Sequence, residues 1–67
     1  MYILVDEPKH SGSLIAGAFD AIDQVYGTEE FTHEQAVGAM MTVMGWSQSF
    51  AESQFHALTE GDHVMEA

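Results

Sequence analysis

Three apolar stripes of helical period, each closed by a glycine, fill most of this 67-residue chain, which has no cysteine. Ser13, or Ser11 before it, can cap a first helix to about Tyr26. Its stripe is Leu14, Ile15, Ala18, Phe19, Ile22, Val25 and Tyr26, with Asp20, Asp23 and Gln24 largely on the other side. Gly27 is a natural stop. Glu29 to Phe31 reads as a short extended link. Thr32-His33-Glu34-Gln35 is a capping box, which opens a second helix to about Met44. That helix carries Val37, Met40, Met41 and Met44 on one face, and Gly45 ends it. Gly45-Trp46-Ser47 is a tight turn. Ser47 caps a third helix with Ala51, Phe55 and Leu58 inward, although Ser49 and Glu52 offer a competing capping box. Gly61-Asp62 is a turn. Two short β-prone runs flank the helices, Tyr2–Val5, stopped by Asp6-Glu7-Pro8, and His63–Glu66. The residues expected to drive folding are Leu14, Ala18, Phe19, Ile22, Val37, Met41, Phe55 and Leu58. Truncating a core phenylalanine such as Phe19 or Phe55 should cost about 3–5 kcal/mol.

One domain, residues 1–67, is expected. A chain this short buries only about 60% of its unfolded surface, so its stability is marginal. Without cysteine there is neither a disulfide staple nor a thiolate metal site. The apolar runs fall far below the ~20 residues that span a bilayer. Met1 to Glu7 has no positively charged start of the signal-peptide kind. The expected location is cytoplasmic, in a host cytoplasm if the gene is viral.

Charge narrows the function more than any motif does. Lys9 is the only Lys or Arg, against eleven Asp and Glu, for a formal net charge of -10. Nucleic-acid binders neutralise phosphates with Lys and Arg, so direct binding to duplex DNA or RNA is not expected. Anionic membrane is disfavoured in the same way. A basic protein surface is attracted instead. The hydrophobic fraction of 46% is too high for a disordered acidic tail, so the charge decorates a folded object.

The second and third helices resemble a helix-turn-helix. The residues are Thr32, Val37, Met40 to Met44, Gly45-Trp46-Ser47, Ala51, Phe55, Leu58, Gly61 and Val64. Many winged-helix domains share this order of a capped helix, a Gly-apolar-Ser turn, an Ala four residues on, two apolar anchors and a Gly before a strand. The resemblance covers roughly residues 14–65 and is strict in spacing only from Thr32 to Val64. It implies a mainly α, three-helix domain of helix-turn-helix or winged-helix type. Met1 to Val5 would pair with His63 to Glu66 in a two-stranded sheet from the termini, replacing a missing wing strand. The plainer alternative is a generic three-helix bundle. DNA binding is not carried over, because the outward residues of the third helix include Gln48, Glu52, Gln54, His56 and Glu60 and nothing cationic.

Several chemical motifs fail on inspection. Glu52, His56 and Glu60 lie at i, i+4 and i+8, which could hold a divalent metal but more commonly forms a solvated face. His10, His33, His56 and His63 lack zinc spacing and read as structural or surface histidines. Ile3-Leu4-Val5-Asp6-Glu7 looks like the end of an ATPase Walker B motif, without the Gly-rich phosphate loop it works with. Asp20, Asp23, Gly27, Glu29 and Glu30 miss the order of a calcium loop and begin inside a periodic helix. His33 beside Glu34 has no nucleophile or oxyanion-donor cluster to serve, so no enzyme, cofactor or metal is expected.

By type, small acidic arginine-free domains resemble phage- or mobile-element-encoded DNA mimics, such as anti-CRISPR, anti-restriction and uracil-glycosylase inhibitor proteins. That resemblance implies an inhibitor or regulator, monomeric or homodimeric, whose carboxylates occupy a basic nucleic-acid-binding protein. The expected partner-binding residues are Asp20, Asp23, Glu29, Glu30, Glu34, Glu52, Glu60 and Asp62, with Trp46 as apolar anchor. For Met40, Met41, Met44 and Trp46 the plain reading is core packing, and the functional one is an adaptable binding patch with Trp46 as its anchor. Two alternatives stand beside the inhibitor reading. One is a salt-adapted, halophilic domain with a regulatory or scaffold role, in which acidity serves solubility. The other is an acidic winged-helix subunit of a larger assembly.

Overall fold

In the computed structural model, which describes residues 1–9 and 12–67, the chain is mainly α with a small sheet. His10 and Ser11, read above as a surface histidine and an alternative cap, lie outside the described residues. The order is β1 (Tyr2–Leu4), α1 (Leu14–Tyr26), α2 (His33–Met44), α3 (Gln48–Glu60) and β2 (Val64–Glu66).

Each helix starts where a hydroxyl side chain can accept an orphan backbone N–H. The Ala16 N–H donates to Ser13 Oγ at 3.1 Å, and the Phe50 N–H to Ser47 Oγ at 3.3 Å. Ser47 therefore opens α3, and the competing Ser49 start is unused. At α2 the box is reciprocal. The Gln35 N–H donates to Thr32 Oγ1 at 3.0 Å, and the Thr32 N–H to Gln35 Oε1 at 2.8 Å. Thr32→Ala should lower stability by about 1 kcal/mol in denaturant unfolding without changing the fold. An unchanged midpoint would mean the box is idle. Gly45 ends α2 at φ 72°, a left-handed conformation that costs a glycine little.

The three helices pack on one another around Ala18, Ile22, Ala36, Met40, Ala51 and Leu58, all without exposed surface. Alanines at the crossings let the helices approach closely. Gly17 lies against Met44, and a Cβ there would stand 3.1 Å from Met44 Cε. The termini meet as an antiparallel pair, Tyr2 with Glu66, Ile3 with Met65 and Leu4 with Val64. The other edge of β1 is also used. The Tyr2 N–H donates to the Phe31 carbonyl at 2.7 Å, and the Phe31 N–H to the Tyr2 carbonyl at 2.9 Å. β1 thus lies between Phe31 and β2, and ties the link between α1 and α2 to the sheet. The fold is compatible with a helix-turn-helix-like shape.

Three expectations need correction. Leu14 is 55% exposed, because it opens α1 a full turn before Ala18, the first residue of the stripe with no exposed surface. Met41 and Met44 are 37% and 40% exposed. Successive helical residues turn by about 100°, and α2 turns Ala36, Val37, Ala39 and Met40 inward, which leaves Met41 on its flank. Phe31 is no mere link. It is wholly buried, with its ring 5.7 Å from that of Tyr26 and 6.5 Å from that of Tyr2.

Candidate protein-binding surface

Among the described residues no polar or charged residue is buried, so the negative charge sits on the surface. Asp20 and Asp23 project from α1, Glu29 and Glu30 from the α1–α2 link, Glu34 from the first turn of α2, Glu52 and Glu60 from α3, and Asp62 from the turn after it. All eight are exposed. Asp62 takes φ 60°, a conformation that Asp and Asn tolerate better than most residues.

Two shallow grooves gather part of this set, and they share His33 and Glu52. The first runs between α2 and α3, over Val37, Gly38 and Met41, with Glu34 and Glu52 at its sides. The second runs between α3 and β2, over Tyr2 and Phe55, with Glu52, Asp62 and Glu66 at its sides. No Lys or Arg lines either groove.

His33 joins the two. Its ring stacks on Phe55, with centroids 4.9 Å apart and planes 10° apart, and its Nε2 lies 3.8 Å from a Glu52 carboxylate oxygen. Phe55 is in turn fixed by the edge of Tyr2, 5.2 Å away and perpendicular. The grooves therefore have aromatic and aliphatic floors and carboxylate walls. This is a surface that can take the alkyl stem of a lysine or arginine and pair its charged head.

The other expected residues lie elsewhere. Asp20 stands in a separate cleft with Glu7, Leu14 and Met44. Asp23, Glu29 and Glu30 border neither groove. Glu60 pairs with His56 one turn back, at 2.5 Å, while Glu52 faces His33. The Glu52-His56-Glu60 row is thus divided between two partners. Trp46 is partly buried and packs against the core, with its ring perpendicular to Phe50 at 4.9 Å. It lines neither groove.

Glu66 was missed from sequence, although the signal was present. In a strand of period two it shares a face with Val64, within the His63–Glu66 run expected to form the last strand. The His33–Phe55 stack had no such signal, since the two residues come from different helices. Among the described residues no helix is long and apolar enough to cross a membrane. No family model, curated protein or solved structure matches the chain.

Proposed function

We propose that this protein is a small acidic inhibitor or regulator that occupies the nucleic-acid-binding surface of a basic protein. The observation that carries the reading is the pair of grooves around His33 and Glu52. Glu34 and Glu52 wall the apolar floor of one groove, and Glu52, Asp62 and Glu66 that of the other, with no Lys or Arg among the lining residues. Carboxylates held this way offer a basic protein the charge that phosphates would otherwise supply, and opposite potentials speed encounter. The outward face of α3 supports the same reading. In a DNA-binding helix-turn-helix the corresponding helix carries cations beside its amides, whereas here the amides Gln48 and Gln54 stand among exposed Glu52, His56 and Glu60, with no Lys or Arg in the helix. On this reading the remaining carboxylates extend the field, and the exposed part of Trp46 is available as an apolar contact.

Affinity capture from lysate of the source organism, at low and high salt, tests the reading. The captured protein should bind nucleic acid, be lost as salt rises, and be displaced by duplex DNA. Capture that resists both salt and DNA would overturn it.

The rival is a salt-adapted domain, and folding separates the two. Among the described residues both ion pairs are His–carboxylate pairs, so no Lys or Arg relieves the repulsion between carboxylates there. An inhibitor working in an ordinary cytoplasm should remain folded at about 10 mM salt, where the screening length is about 30 Å. A salt-adapted domain should unfold under those conditions. Circular dichroism across a salt series reads the difference.

A further inference from the structure

We propose that the outward face of the β1–β2 sheet is the apolar contact for that same basic partner, an inference that rests on the function proposed above. Tyr2 and Leu4 pack against the core, so strand alternation turns Met1, Ile3 and Val5 the other way. The register sets Met65 beside Ile3 on the same outward side. Met1, Val5 and Met65 are 57%, 51% and 49% exposed.

An antiparallel sheet covered on one side ordinarily alternates apolar inward with polar outward. Threonine would serve a solvent-facing strand position as well as valine or methionine. Here both faces are apolar, and contiguous apolar surface of this kind marks an interaction site.

Charge selects the occupant. Asp6 and Glu7 follow Val5 directly and are exposed, and Lys9 is the only Lys or Arg in the chain. A second copy would bring this acidic border, and a further net charge of -10, against its own kind. Like charges facing one another across an interface are unfavourable. An anionic membrane meets the same repulsion. A protein surface with an apolar centre ringed by lysine or arginine satisfies both the face and its border. The face is also continuous with the acidic groove, because Met65 lines that groove beside Glu66 and Asp62. One partner can therefore cover both.

The test uses three peptide probes, an amphipathic Leu/Lys helix, oligolysine, and a Leu/Glu helix of the same pattern. The wild type should bind the Leu/Lys helix most tightly, with the largest methyl NMR shifts at Met1, Ile3, Val5 and Met65. The variant Val5→Thr, at a position that lines neither groove, should weaken that binding several-fold and leave oligolysine binding unchanged. Its melting point should match the wild type, since the Val5 side chain is exposed. Equal Leu/Lys affinity in wild type and variant would overturn the inference, with the charge-capture reading intact if oligolysine still binds. Equal binding of the Leu/Glu helix would overturn the choice of a basic occupant. A wild-type dimer in sedimentation that the variant abolishes would assign the face to a second copy instead. If neither cationic probe binds, the underlying function falls and the inference with it.

Discussion

Phe31→Ala should leave the protein largely unfolded near room temperature. The side chain is wholly buried between Tyr2 and Tyr26, and its backbone forms a two-bond bridge to Tyr2. Deleting a buried phenylalanine ring costs about 3–5 kcal/mol through lost burial and the cavity left behind. Domains have roughly 0.05–0.15 kcal/mol of stability per residue, about 3–10 kcal/mol for a chain of 67 residues, and at the marginal end expected of so small a core the loss takes most of it. The loss should also be shared by both parts of the fold, because this one residue joins the α1–α2 link to the sheet. Thermal melting followed by circular dichroism reads the effect. Val25→Ala, at a position 49% exposed, provides the control and should stay within about 0.5 kcal/mol of wild type. A Phe31→Ala variant that melts with the wild type would mean the bridge and the buried ring are misplaced.

Neutralising the groove walls should have the largest effect on binding. The variant Glu34→Gln, Glu52→Gln, Asp62→Asn, Glu66→Gln removes four of the eleven acidic side chains and keeps their shapes. Asn suits the left-handed backbone at position 62 as well as Asp does. Electrostatic steering raises association rates by about 10–10³-fold, so association with the captured partner should slow by about tenfold or more. Its dependence on salt should flatten as well, because fewer charges remain to be screened. Dissociation should change less, since apolar contacts hold the complex once it has formed. Stopped-flow or surface-based kinetics over a salt series separates the two rates. Unchanged association would place the contact on another face, most simply around Asp20 to Glu30.

Local signals in the chain were strong wherever one element carried the whole message. Thr32 and Gln35 specify the start of α2 by themselves, because a capping box is complete within four residues. Ser47, Gly27 and Gly45 mark ends for the same reason. Ala51, Phe55 and Leu58 share a helical stripe and all are buried. Phe31 was illegible because a single bridged residue has no periodicity. Met40 and Met41 are equivalent in composition, and only the angle at which α2 meets its neighbours turns one inward and the other out. Leu14 lies on a correct stripe that outruns the layers packed against it.

The candidate site divides along the same line. Sequence alone determined that the surface would be acidic, since eleven carboxylates and one lysine cannot be hidden in a chain this small. It also determined that three capped helices would stand between two short strands, because caps, stripes and glycine stops act within a few residues. Tertiary structure alone decided which carboxylates become neighbours. Glu34 and Glu52 share one groove, and Glu52, Asp62 and Glu66 the other, only because the helices pack on one another and the termini pair. It likewise set His33 on Phe55 and turned the apolar side of β1 to solvent. Such placements depend on packing between distant segments, where the hydrophobic effect is strong but non-directional, and no local pattern encodes its outcome.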